Sequence, residues 1–147
     1  MTPATAQIRN PSYGGYILRT GLEVVSEYEL LFGSVLYQKH FRTCRRIVDI
    51  GPGRCWFTKQ NPHTIVAVDN SPELVEHYTK QGIDIRLGDA YDLRLPDQYA
   101  DGIFCCWLFE HLTAPPHSYA GDLSRTRLRR ICARNGTVVP QHEVVLR

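Results

Sequence analysis

The sequence lacks the features that mark membrane, secreted and disulfide-stabilised proteins. No apolar stretch approaches about 18 residues, so we predict no transmembrane helix. The N-terminus has no basic segment followed by an apolar one, so we predict no signal peptide. The five cysteines follow no regular spacing, which favours a reduced, cytoplasmic protein over a disulfide scaffold or a metal site. A formal net charge of +2 does not by itself indicate a nucleic-acid or membrane surface.

The chain has instead the composition of one ordinary globular domain. It contains 147 residues, of which 43% are hydrophobic, and a chain of this size can bury a sizeable core. Residues 1–18 read as irregular. Thr20 and Glu23 then fit a capping box, with Thr20 as the N-cap, and apolar residues at helical spacing predict an amphipathic helix over 21–41.

The remaining chain alternates between apolar runs and helical segments. The runs predict five strands, at about 47–50, 65–69, 83–88, 102–108 and 137–146. Helices are predicted between them at about 54–60, 72–81 and 122–134, the last ended by Asn135-Gly136. Such an alternation is typical of an α/β fold with a doubly wound, mostly parallel sheet.

Three of these strands end in residues suited to a nucleoside pocket. The first runs into Asp49-Ile50-Gly51-Pro52-Gly53, where glycine lets the backbone approach a ligand without a β-carbon in the way. The second ends at Asp69, whose two carboxylate oxygens can accept from both hydroxyls of a ribose. The third ends in Gly88-Asp89-Ala90. Each has a structural alternative: a plain strand-to-helix turn, an acid favourable for the dipole of the next helix, and a solvated turn.

The order of these parts resembles the class I S-adenosylmethionine-dependent methyltransferases, type 11-like, over about residues 45–139. A fourth block, residues 99–112, also resembles the family, with an acid opening a strand and Glu110-His111-Leu112 following it. The resemblance implies a Rossmann-like fold with S-adenosylmethionine as cofactor. It places the methionine end at the glycine turn and the adenine amino group at Asp89. The implied cofactor-binding residues are Asp49, Gly51, Pro52, Gly53, Asp69, Asn70, Asp89, Ala90, Cys105 and Cys106.

Two departures from the family pattern affect the expected site. Cys55 stands where the family usually has a third glycine, and the segment from Asp49 to Asp69 is shorter than usual by about one helical turn. The chain also stops after the fifth predicted strand, so the family's last two strands are missing from it. We therefore interpret residues 1–44 as an N-terminal cap segment and 45–147 as a truncated cofactor-binding domain. We hypothesise that the strand-five edge pairs in a homodimer.

The expected activity is methyl transfer to an unidentified acceptor, most simply a small molecule. Glu110 and His111 are the nearby candidates for a general base, although a histidine such as His111 is more often a structural residue than a base. No residues show a metal-ligand spacing. The arginines of the predicted 122–134 helix are more typical of a solvated face than of an RNA contact.

Two other functions are compatible with part of the pattern. A non-catalytic S-adenosylmethionine-binding or oligomeric partner protein is favoured by Cys55 and the missing strands. A nicotinamide-dependent oxidoreductase also has an acid at the end of its second strand. Trp56 occupies the third glycine position of that fingerprint, which argues against the oxidoreductase.

Overall fold

The computed structural model describes residues 12–21, 24–90, 92–106, 108 and 132–139. Its helices are α1 (Ser12–Thr20), α2 (Glu27–Leu36) and α3 (Pro72–Thr79), with a π-helical turn at Tyr37–Phe41 and a 3₁₀ helix at Thr58–Gln60. Its strands are β1 (Ile47–Ile50), β2 (Ile65–Asp69), β3 (Ile85–Leu87), β4 (Ala100–Cys105) and β5 (Cys132–Val139). None of the helices in these ranges has the length and hydrophobicity needed to cross a bilayer.

The strands form one sheet in the order β3-β2-β1-β4-β5, and every neighbouring pair is parallel. β1 lies in the middle, where Ile47 pairs with Ile65 of β2 and with Gly102 of β4. All residues of β1 and β2 are buried, as expected for strands covered on both faces. The predicted α/β sheet is confirmed, and the predicted bounds of β1 and β2 agree with the structure.

The N-terminal helical region differs from the prediction. Residues 12–20 form α1 rather than an irregular segment, and Gly21 ends it with a left-handed backbone at φ +70°. Thr20 is not an N-cap: it lies in the last turn of α1, where its hydroxyl donates to Tyr16 O at 2.7 Å. The capping box belongs to Ser26 and Glu29, which start α2. The sequence contains two Ser/Thr-x-x-Glu patterns six residues apart; the prediction used the first, whereas the structure uses the second.

α2 uses only part of its apolar surface for packing. Phe32 and Leu36 pack against Trp56 and the aromatic cluster that it forms with Phe41, Phe57 and Phe104. Tyr28 and Val35, which belong to the apolar residues at helical spacing in the predicted 21–41 helix, are 71% and 54% exposed. The helical spacing therefore identified the helix but not the side that is buried.

The segment after the glycine turn is not a regular helix over 54–60. It consists of turns followed by the 3₁₀ helix at Thr58–Gln60. Within it Cys55 has a left-handed backbone at φ +56°, which a continuous α-helix does not contain. This shorter path explains why the chain reaches β2 about one turn earlier than the family pattern suggests.

β4 begins two residues before its predicted start and ends at Cys105 rather than at residue 108. Asp101 belongs to the strand because its carboxylate accepts from the backbone N–H groups of Arg45 and Arg46, at 2.9–3.0 Å. β3 is likewise shorter than predicted, spanning Ile85–Leu87. The apolar runs thus identified both strands but not their ends.

The prediction for the last strand is wrong in its position. β5 spans Cys132–Val139, so residues 132–134 are not helical and Asn135-Gly136 does not end a helix. Ala100 pairs with Cys132 whereas Gly102 pairs with Thr137, so the pairing is irregular just where Asn135-Gly136 occurs. This pair therefore accompanies a bulge within the strand. Residues 122–131 and 140–146 of the predicted helix and strand lie outside the described residues.

Candidate functional site

The carboxyl ends of four parallel strands meet at one edge of the sheet. Gly51 N–H, just after β1, donates to Val68 O of β2 at 2.9 Å, and Gly88 N–H, just after β3, donates to Asp69 O at 2.9 Å. Ile50 at the end of β1 pairs with Cys105 at the end of β4. The structure therefore brings the ten predicted residues to this edge: Asp49, Gly51, Pro52, Gly53, Asp69, Asn70, Asp89, Ala90, Cys105 and Cys106. In open α/β sheets this is the edge at which ligands bind.

The turn after β1 depends on its two glycines. Gly51 and Gly53 both have left-handed backbones, at φ +65° and +53°. A β-carbon placed on Gly53 would meet no atom within 4 Å, whereas one on Gly51 would lie 2.8 Å from a methyl group of Leu108. The backbone at Gly53 thus faces open space, which is the arrangement a ligand needs for close approach.

Asp49 lies beneath this turn and is only 2% exposed. Its carboxylate oxygen Oδ2 accepts from the Thr58 hydroxyl at 2.7 Å. Burial raises the pKa of Asp49 to about 7, the hydrogen bonds from Thr58 oppose that rise, and the charge of Asp69 adds to it. The carboxyl group is therefore balanced between its neutral and ionised forms near neutral pH.

Asp69 ends β2 and is 8% exposed. Its Oδ1 accepts from the backbone N–H of Ser71 at 2.9 Å. Burial raises the pKa of Asp69 to about 6, while backbone N–H groups of Ser71, Gly53 and Asn70 counteract the rise. A carboxylate accepts up to about four hydrogen bonds, and these three backbone groups leave capacity for about one more, from a ligand hydroxyl.

The turn after β3 packs tightly against β2. A β-carbon on Gly88 would lie 2.6 Å from Cγ1 of Val68, so the position requires glycine. Asp89 and Ala90 follow and are partly buried, and Asp89 makes an isolated backbone bridge with Asp92. The Asp92 N–H donates to Asp89 O at 2.8 Å, so the Asp89 carbonyl group is held in a tight turn.

The end of β4 contributes the vicinal cysteines. Cys105 is 5% exposed and packs with the core beneath the sheet edge, whereas Cys106 is partly buried and packs against the aromatic cluster. Their different environments agree with residues on opposite faces of a strand. Glu110 and His111 lie outside the described residues, so their placement remains a prediction. Among the described residues no group of three His, Cys, Asp or Glu side chains could hold a metal ion.

The helices α1 and α2 reach this edge from the N-terminal segment. Gly14 of α1 packs so closely on Ser71 that a β-carbon there would lie 1.9 Å from the Ser71 hydroxyl oxygen. Arg54, in the glycine turn, forms an ion pair with Glu29 of α2 and lies 3.5 Å from Val24 O. Both helices are therefore fixed to the turns that follow β1 and β2.

Thr58 is the residue of this site that the sequence reasoning missed. It is fully buried and hydrogen-bonded to Asp49, but it lies nine positions after that residue on a segment expected to be helical. A threonine surrounded by Trp56, Phe57 and Lys59 gives little local signal. The informative pattern is a hydroxyl residue shortly after a glycine turn that begins with a buried acid.

The chain resembles known methyltransferases in sequence and in structure. A family model described as "Methyltransferase domain" matches residues 48–139. One similar crystal structure is a SAM-dependent methyltransferase from Thermotoga maritima, described as a possible histamine N-methyltransferase. It is 20% identical with a TM-score of 0.59, and the match covers 83% of this chain and 54% of that one. No curated protein sequence matches significantly.

Two further SAM-dependent methyltransferase structures show the same relationship. The protein from Archaeoglobus fulgidus is 27% identical with a TM-score of 0.57, covering 80% of this chain and 53% of its own. The protein from Aquifex aeolicus is 19% identical with a TM-score of 0.57, covering 84% and 67%. This chain therefore spans about half the length of the first two structures.

Proposed function

Since this chain belongs to the methyltransferase domain family, we propose that it transfers a methyl group from S-adenosylmethionine to a small-molecule acceptor. Family membership implies S-adenosylmethionine as the cofactor. The observation that carries the proposal is the meeting of Asp49, Asp69 and Asp89 with the open Gly51-Pro52-Gly53 turn at one sheet edge. When bound, the cofactor supplies a methyl group activated on a sulfonium centre.

The residues at this edge fit the parts of that cofactor. Asp69 would accept from the ribose hydroxyls, because its buried carboxylate keeps acceptor capacity beside its backbone donors at Ser71, Gly53 and Asn70, and a bound ribose can replace the weaker of these. The open space at Gly53 would admit the methionine end, with Asp49 beneath it. Asp89 and the Ala90 N–H would meet the adenine ring, and Cys105 and Cys106 would line the methionine side. Three carboxyl groups also favour a ligand that carries positive charge.

The protein's part in the reaction is mainly positioning. Displacement at a sulfonium methyl group requires the acceptor atom to lie in line with the breaking bond, and holding the reactants there removes an entropic cost. A base is needed only if the acceptor loses a proton, and Glu110 and His111 remain the proposed candidates. A small-molecule acceptor is supported by the similar Thermotoga maritima protein, which is a possible histamine N-methyltransferase. Because the five cysteines follow no regular spacing, a reducing, cytoplasmic location is part of the proposal.

A second candidate function is cofactor binding without catalysis, as a regulatory or oligomeric partner protein. The observation that favours it is Cys55, which holds a left-handed backbone at φ +56° where the family usually has glycine. Among the described strands β5 lies at the edge of the sheet, and we propose that this edge pairs with a second copy. Light scattering at high concentration tests the pairing, and a purely monomeric species would exclude it.

Calorimetric titration with S-adenosylmethionine and S-adenosylhomocysteine tests the proposed cofactor site. We expect micromolar binding to the unmodified protein and at least about 100-fold weaker binding to Asp69→Ala, because charged hydrogen bonds contribute about 1.5–3 kcal/mol each. Asp97→Ala, at an exposed turn, is the matched control and should bind normally. No binding at millimolar ligand, or equal affinity of the two variants, would contradict the site. Binding without methyl transfer to a broad acceptor panel would favour the non-catalytic alternative.

A further inference from the structure

Thr58 directs both of its hydrogen-bond donors at one carboxyl group. Its hydroxyl lies 2.7 Å from Oδ2 of Asp49, and its backbone N–H also hydrogen-bonds to Asp49. Thr58 is completely buried and Asp49 nearly so, so water does not compete for these bonds. A buried carboxylate with two donors from one rigid residue has a fixed orientation.

The local backbone makes this arrangement specific. Thr58 begins the 3₁₀ helix that follows the glycine turn, and the left-handed residue Cys55 redirects the chain just before it. The ring of Phe57, next to Thr58, stacks on Phe104 of β4 with centroids 3.9 Å apart. Aromatic packing on the neighbouring residue therefore holds Thr58 against the end of β1.

Cys55 is a buried neighbour of this pair. Its thiol is fully buried, and burial together with the charges of Asp49 and Asp69 raises the pKa of the thiol. The hydroxyl proton of Thr58 is donated to Asp49 Oδ2, so the Thr58–Asp49 hydrogen bond is the polar contact on which the carboxyl group depends.

We propose that Thr58 is the positioning residue that fixes the orientation and the charge of the Asp49 carboxylate beneath the cofactor turn. Its effect on cofactor affinity rests on the proposed function, but its effect on the carboxyl group does not. Thr58 acts through Asp49 and need not touch the cofactor.

The charge of Asp49 responds to Thr58 in a defined direction. The groups that face it are the Asp69 carboxylate, which disfavours its ionisation, and the two donors of Thr58, which favour it. The Cys55 thiol also lies close by, with Lys59 acting on that thiol. Burial and the charge of Asp69 raise the pKa of Asp49, and the Thr58 hydroxyl counteracts them. Without that hydroxyl, the pKa of Asp49 therefore rises above its value of about 7. A neutral Asp49 presents a donor where the ionised group presents only acceptors.

Carboxyl carbon NMR on the cofactor-free protein tests this proposal directly. In Thr58→Val, which keeps the shape and removes the hydroxyl, we expect the Asp49 titration midpoint to move up by about one pH unit. Thr58→Ser should restore the normal midpoint. Thr79→Val, at the exposed end of α3, is the matched control and should leave it unchanged. Equal midpoints in the Val and Ser variants would overturn the proposal.

Cofactor titration across pH 6–9 then tests the functional consequence. Thr58→Val should bind S-adenosylmethionine about tenfold more weakly near pH 6, about threefold more weakly near pH 7.5 and equally well near pH 9, where Asp49 is ionised in both proteins. A loss that is equal at all pH values would indicate a structural role and contradict positioning by charge. If Thr58→Val does not fold, Thr58→Ser against Thr58→Ala isolates the hydroxyl in the same two measurements.

The two measurements also separate this proposal from the proposed function. A shifted Asp49 midpoint with no cofactor binding by the unmodified protein would support the role of Thr58 and contradict the cofactor site. Normal cofactor binding with an unshifted midpoint would support the site and overturn the role of Thr58.

Discussion

The carboxyl ends of β1 and β2 place a buried aspartate at the same sheet edge but hold it by different means. At the end of β1, Asp49 depends on a side-chain hydroxyl that comes from a later 3₁₀ helix. At the end of β2, Asp69 depends on backbone N–H groups, of which that of Ser71 lies 2.9 Å away. The first arrangement can be removed by changing one side chain, whereas the second survives any substitution that keeps the backbone path.

The difference in donors accompanies a difference in charge. The pKa of Asp49 is raised to about 7 and that of Asp69 to about 6, in both cases mainly by burial. Around pH 7 the end of β2 is therefore mostly ionised, while the end of β1 is divided between its two forms. Proximity to the same turn does not give two carboxyl groups the same properties.

The largest expected difference between Asp49 and Asp69 is in how each makes the stability of the fold depend on pH. Both pKa values lie above the unfolded value of 3.8, so the folded protein holds extra protons and its stability falls as pH rises from about 4 to 7. An asparagine at position 49 does not ionise, so Asp49→Asn does not lose stability in this way. We therefore expect this variant to be more stable than the unmodified protein at pH 8 by about 1–4 kcal/mol. Urea unfolding of the cofactor-free proteins at pH 5 and pH 8 measures the difference.

Asp69→Asn is the matching variant for this experiment. Its gain at pH 8 should be smaller, because the pKa of Asp69 lies closer to its unfolded value. A larger gain for Asp69→Asn than for Asp49→Asn would contradict the assignment of the higher pKa to Asp49.

An intermediate effect is expected at Cys55, which is electrostatically coupled to both carboxyl groups. Its backbone is left-handed and its side chain fully buried, so Cys55→Val should destabilise by about 2–3 kcal/mol through backbone strain and overpacking. Cys55→Gly relieves the strain but loses thiol packing, so it should remain within about 1 kcal/mol of the unmodified protein. Thermal unfolding of both variants measures this, and equal losses would argue against strain at this position.

The smallest effect is expected at Ser71, and it tests the backbone arrangement at β2. Ser71→Ala removes the N-cap hydroxyl of α3 but keeps the N–H that holds Asp69. We expect a loss of about 1 kcal/mol in unfolding free energy, with cofactor affinity at pH 6 unchanged within about threefold, where Thr58→Val should lose about tenfold. If Ser71→Ala weakened cofactor binding as much as Thr58→Val does, this would contradict the contrast between a side-chain donor at Asp49 and backbone donors at Asp69.

The central strands could be predicted from sequence because burial on both faces gives continuous apolar runs. Ile47–Ile50 and Ile65–Asp69 are such runs, and each ends in residues whose position at the sheet edge follows from parallel pairing. The predicted site residues meet at that edge for the same reason. The family resemblance then supplied the cofactor, which composition and spacing alone do not identify.

The elements that could not be predicted depend on tertiary contacts. α1 has few helix formers, and it is fixed by the packing of Gly14 on Ser71 and of Ile17 in the core. The start of β5 depends on an irregular pairing with β4, which moves Asn135-Gly136 into a strand. Thr58 becomes a site residue only because the turn after Gly53 is not helical. Local sequence patterns carry no information about these contacts between separate elements.

The parallel pairing of β1 on both sides has a consequence for how the chain folds. Ile47 must find Ile65 across one connection and Gly102 across a much longer one, and no hairpin is available to begin either pairing. Loop-closure entropy must be overcome before these contacts contribute, so folding of this sheet should be slow relative to helical proteins of the same size. During synthesis on the ribosome, β1 emerges well before β4 and remains without one of its two neighbours until that strand follows.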